Sequence, residues 1–204
     1  MLLAVLAFFT WLMAKISVNY FPARTDAGFL RIKQQYIGID HWRMAFFIHV
    51  YASLWVLLAG FTQFSKKLLR SRPRLHRSLG YVYVVDVLLV TGPAGLLMGF
   101  YANGGTTSRI AFILLGSLWI YFTAMAWYKA NKGDYKQHRH FMIRSYALTL
   151  SAITLRAWKY GITNTMEVPP MDVYRIVAWL GFVPNLLVAE WIIRRKQRNK
   201  LAIA

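Results

Sequence analysis

A chain of 204 residues that is 57% hydrophobic, with a positive mean hydropathy, is more apolar than the ~45–50% of a soluble domain and reads as an all-α integral membrane protein. Its formal charge of +18 falls in short basic clusters between apolar runs. That pattern sets membrane topology and touches anionic lipid, so nucleic acid is dropped as a partner. The absence of cysteine excludes disulfides, thiolate catalysis, iron–sulfur clusters and zinc–thiolate sites.

Six membrane helices are expected, over about 1–18, 42–64, 73–101, 108–128, 135–160 and 173–193, in a single transmembrane domain covering 1–204, with helices two to five as the core bundle. The first run has no basic residue ahead of its apolar core and no clean small-x-small site after it, so it reads as a retained helix rather than a cleaved signal. Residues 17–41 form a polar and aromatic loop with a short surface helix around Phe29 to Tyr36. The second span carries His49 and ends at Gln63. Ser71 and Pro73 open the third, which passes Asp86 and should kink at Gly92-Pro93. Asn103-Gly104-Gly105 is a tight turn before Ser108 opens the fourth span, and Asp134 caps the fifth. Pro169-Pro170 precedes the sixth, and a basic tail over 194–204 follows it.

Counting basic residues orients the chain. The loops before helices three and five, and the tail, hold with their flanks sixteen of the twenty-five Lys and Arg. Those segments are therefore expected in the cytoplasm with both termini, and 17–41 on the opposite side. For a bacterial chain the compartment is the inner membrane.

Depth selects the polar residues of interest. Asp86 stands ~12 Å inside the hydrocarbon, where a charge costs at least ~2.5–3.5 kcal/mol and calls for a partner in the bundle. His49, at ~10 Å depth, and Arg156, about a turn below the surface, both enter from the outer side. They read either as an outer cavity or as a hydrogen-bonded core histidine and a snorkelling arginine. At the inner end His76 opens helix three, His138 and His140 open helix five, and Arg144 and Glu190 lie within about a turn of the same surface. Arg144 and Glu190, opposite in sign at similar depth, are expected to be neighbours. His76 and His138 stand at nearly equal height, which suits shared ligation of a b-type haem with Arg77 or Arg144 as the anion partner. The other readings of these histidines are contact with water and lipid phosphate, or a divalent metal or quinone site. His140 lies ~200° round from His138 and is expected to face lipid headgroups.

The motifs Leu75-His76-Arg77-Ser78-Leu79-Gly80-Tyr81-Val82-Tyr83-Val84, Gly95-Leu96-Leu97-Met98-Gly99 and His138-Arg139-His140-Phe141-Met142-Ile143-Arg144-Ser145-Tyr146-Ala147-Leu148-Thr149 resemble the bacterial membrane family known as domain of unknown function 2306. Trp179 and Pro184-Asn185-Leu186-Leu187-Val188-Ala189-Glu190 match its C-terminal motif, so the resemblance spans about Ala45 to Arg194. It implies a multi-pass membrane protein with histidines at the positions of His49, His76 and His138, and it supplies no activity. This chain departs by carrying His140 for Arg and Phe141 for Trp, which leaves His138 the better ligand candidate.

Three functional expectations follow. The leading one is a b-type haem protein or redox subunit of the membrane, similar in architecture to four-helix cytochrome b bundles; helix four has no histidine, so a second haem opposite His49 lacks its ligand. The others are a small-molecule transporter using Asp86, His49 and Arg156, and an accessory subunit that binds lipid and other subunits of a larger complex.

Overall fold

The structure is a computed structural model that describes residues 2–201, with side-chain burial for 7–198. Met1 and the last residues of the expected tail, 202–204, lie outside the described residues. Every regular element among them is helical, and the chain packs as two compact units, Met1–Tyr101 and Ala102–Ala204.

In the first unit, α1 (Leu2–Val18) leads into a loop that closes on itself. The expected surface helix is instead a 3-10 turn, Gly28–Ile32, followed by one short turn, α2 (Gln34–Ile37). This loop is not merely polar. Tyr20, Ala27 and Leu30 join Trp42 and Phe46 of α3 (Asp40–Thr62) in a buried cluster. The Tyr20 hydroxyl accepts from the Phe29 amide at 2.9 Å, and the Tyr51 hydroxyl donates to the Tyr20 carbonyl at 2.8 Å. Lys33 is buried, its ammonium donating to the Tyr101 carbonyl and lying 4.6 Å from the ring centroid of Tyr36. A buried cation needs such an acceptor and a π face to replace water.

A short helix, α4 (Lys66–Ser71), capped by Ser65, then leads to α5 (Pro73–Val85), a π-helical segment (Asp86–Thr91) and α6 (Gly92–Phe100), together one span. Ser71 ends α4, so the residue capping α5 is Arg72. The irregularity expected at Gly92-Pro93 falls just before it. Pro93 has no N–H for the carbonyl four residues back and its ring crowds that carbonyl, so the backbone widens to i→i+5 bonding over the preceding turn. The Thr91 hydroxyl supports the widened turn by donating to the Asp86 carbonyl at 3.2 Å.

In the second unit, α7 (Thr106–Asn131) and α8 (Tyr135–Thr149) form an antiparallel pair. Gly133 turns the chain at φ 73°, and the Asp134 carboxylate caps α8 by accepting from the Gln137 amide. The expected fifth helix is broken at Leu150 into α8 and α9 (Ser151–Thr165). Thr149 donates back to the Ser145 carbonyl four residues earlier, a bond that bends helices, and Thr154 donates to the Gly181 carbonyl at 2.5 Å. The sixth is likewise α10 (Pro170–Leu180) and α11 (Val183–Leu201), with Asn185 donating to the Ala147 carbonyl at 3.0 Å.

Four stretches are long and apolar enough to cross a membrane: Asp40–Thr62, Pro73–Phe100, Thr106–Asn131 and Pro170–Arg198.

Candidate functional site

Several buried polar residues of the second unit line the seam between α7 and α8. His138, Met142, Ser145 and Thr149 repeat at spacings of four, three and four, so one stripe of α8 faces α7. His138 Nδ1 lies 2.8 Å from the Ala126 carbonyl. Thr123 donates to the Trp119 carbonyl at 2.7 Å, so its single proton is committed and Ser145 is the donor in their 2.7 Å hydroxyl contact. Trp119 Nε1 donates to the Thr149 hydroxyl at 3.1 Å. Ser145 and Thr123 are fully buried. The buried hydroxyls and the indole N–H of this seam have protein partners, as an apolar surrounding requires.

On another face of α8, Arg144 meets Glu190 of α11 as expected: Nε and Nη2 donate to the two carboxylate oxygens at 2.5 and 3.0 Å. The guanidinium also lies over the rings of Phe122 and Phe141. Arg144 therefore serves first as an ion-pair partner rather than an open anion site. His140 does not turn outward to headgroups. It is buried, 9% exposed, beside this pair. The expectation assumed one protein-facing side for the helix, but α8 packs on α7 and on α11, so the face 200° from His138 is covered too.

Arg156 is exposed, with Nη1 donating to the Ala152 carbonyl at 2.7 Å. His76, half-buried at the start of α5, has its carbonyl bonded by Gln63 Nε2, and Arg77 beside it is exposed. His49 places Nδ1 2.9 Å from the Thr91 carbonyl at the end of the π segment. Asp86, half-buried, opens that segment. His76 and His138 belong to different units. Among the described residues no three His, Cys, Asp or Glu side chains come together to hold a metal ion.

The sequence reading missed Lys33 and the Thr123–Ser145–Thr149 ladder. Lys33 sits in a segment whose composition reads as an open loop and gave no signal. The ladder did leave one, since Ser145 and Thr149 continue the His138–Met142 stripe.

Long apolar helices held by buried side-chain hydrogen bonds and an interhelical ion pair define an all-helical membrane protein. The family profile described as Predicted membrane protein (DUF2306) matches residues 46–193, and the chain belongs to that family. No curated protein and no solved structure matches it.

Proposed function

We propose that the protein is a multi-pass subunit of the bacterial inner membrane that binds a b-type haem through His138. The observation that carries this reading is the contact of His138 Nδ1 with the Ala126 carbonyl at 2.8 Å. A carbonyl only accepts, so Nδ1 is the donor, and the tautomer with its proton there carries the lone pair on Nε2. Metal-ligating histidines are commonly oriented in this way. Arg144 is engaged by Glu190, so it would not be a free anion partner for such a group. The natural partners are membrane lipid and other subunits that exchange electrons with the haem. Titrating purified full-length protein with haemin tests it: a saturable Soret absorbance at one haem per chain is expected, and the absence of saturable binding overturns the reading.

The same proposal places six helices across the bilayer with both termini in the cytoplasm. Four long apolar stretches support it. Residues 135–165, at ~1.5 Å each, make ~45 Å of helix for a core of ~30 Å, and α1 makes ~25 Å. The basic clusters supply the orientation. Reporter fusions after Arg70, Lys132 and Lys200 are expected to read cytoplasmic, and those near Gly28 and Glu167 the opposite. A cytoplasmic Gly28 fusion contradicts the six-helix arrangement.

A further inference from the structure

The seven acidic residues are not treated alike. Asp26 pairs with Arg24, Asp40 with Arg43, Asp134 with Lys129, Asp172 with Arg175 and Glu190 with Arg144. Glu167 is exposed between α9 and α10. Asp86 differs from all of these: it lies midway along a span, no ion pair reaches it among the described residues, and its Oδ1 is buried with no hydrogen-bond partner. An ionised carboxylate in that place would leave a charge in hydrocarbon without a counter-ion. The neutral acid avoids that cost.

The backbone around Asp86 is irregular in a way that joins it to His49. The π segment runs from Asp86 to Thr91, whose hydroxyl donates to the Asp86 backbone carbonyl at 3.2 Å. The Thr91 carbonyl is in turn the partner of His49 Nδ1 on α3. Gly95, one turn further, makes room for the imidazole: a Cβ there would stand 2.9 Å from its Nδ1 and Cε1. One residue thus bonds to both Asp86 and His49, at a π segment, a feature that recurs at functional sites.

We propose that Asp86 and His49 form an intramembrane proton-binding site, linked through Thr91, independent of any haem at His138. Uptake of one proton from solution converts the Asp86 carboxylate to the neutral acid, and release returns it. Few other charges bear on the site. α6 carries no titratable side chain. α5 contributes Tyr83, buried within a turn of Asp86, while Arg74, His76 and Arg77 lie about ten residues away, ~15 Å along the axis. On α3 the Tyr51 hydroxyl is turned to Tyr20, and Asp40, His41 and Arg43 stand at the far outer end, with Arg43 held by Asp40.

The test uses full-length protein in membrane vesicles treated with a hydrophobic carbodiimide across a pH series, with each acidic peptide quantified by mass spectrometry. A protonated carboxyl adds across the carbodiimide and rearranges to a stable N-acylurea, with no leaving group. Asp86 is expected to be the principal modified acid, its modification falling about tenfold for each pH unit above its midpoint. His49→Gln is expected to move that midpoint by about one unit, as for coupled groups. Infrared spectroscopy gives a second readout: a protonated-carboxyl C=O band that Asp86→Asn removes supports the site even where the reagent does not enter. An unmodified Asp86 with no such band overturns the proposal, and an unmoved midpoint in His49→Gln overturns the paired site.

Discussion

Two antiparallel helix pairs, one in each unit, use different means of holding together. In the first, α3 sends polar side chains to the backbone of its partner: His49 to the Thr91 carbonyl and Gln63 to the His76 carbonyl. Each reaches over a glycine, Gly95 and Gly80, whose missing side chain makes the approach possible. In the second, α7 and α8 join side chain to side chain through Thr123 and Ser145, and Trp119 and Thr149. The second seam pairs the Thr123, Ser145 and Thr149 hydroxyls, while Ser108 near the start of α7 keeps a buried hydroxyl without a hydrogen-bond partner among the described residues. The first leaves a carboxyl oxygen of Asp86 over. A carboxyl oxygen left over at membrane depth marks a place where a proton or ligand completes the bonding.

The largest expected effect breaks the first pair at its glycine. Gly95→Ala drives a Cβ into the His49 ring, and over-packing together with the lost Thr91 contact should cost about 3 kcal/mol, read as a lower thermal midpoint in detergent. Combining it with His49→Ala should recover most of that loss, because the clash disappears. Additive losses would show that Gly95 matters for some other contact.

Next comes the ion pair that ties α8 to α11. Glu190→Ala leaves Arg144 without its bidentate partner and is expected to cost about 2 kcal/mol, less than the ~3–5 of a fully buried pair because the Glu190 side chain is 36% exposed. Raising the salt concentration should weaken the wild type more than the variant. The smallest effect belongs to the seam itself: Thr123→Val removes one hydroxyl of a buried pair and should cost about 1 kcal/mol, the scale of interhelical hydrogen bonds in membranes. Pairing it with Ser145→Ala in a double-mutant cycle isolates that bond. A coupling energy of zero would mean that shape alone joins the helices.

What the sequence disclosed and what it concealed divides along the same physical lines. Long apolar runs and their caps were legible because hydropathy and capping are local: Asp134 caps α8, and Gly92-Pro93 marked the irregular turn to within a few residues. The Arg144–Glu190 pair was legible because two opposite charges stood at one depth. Breaks at Leu150 and after Leu180 were not, since the apolar composition runs straight through them and the bends come from threonine back-bonding and tertiary contacts such as Asn185 to Ala147. His140 was misplaced for a related reason. Periodicity tells that it opposes His138 but not that a second helix covers that face. Lys33 shows the limit most plainly, because only the folded loop supplies the rings and the carbonyl that make its burial tolerable.

In the proposed haem reading it is His138, with its Nδ1 bonded to the Ala126 carbonyl, that presents the ligating nitrogen, and not the buried His140. The most direct measurement is the reduced-minus-oxidised absorbance spectrum of purified full-length wild type beside His138→Ala and His140→Ala. b-type haem bands are expected in the wild type and in His140→Ala, and their loss in His138→Ala with the protein still folded by circular dichroism. Bands that survive in His138→Ala, or a wild type that shows none after expression with added haem precursor, would contradict it.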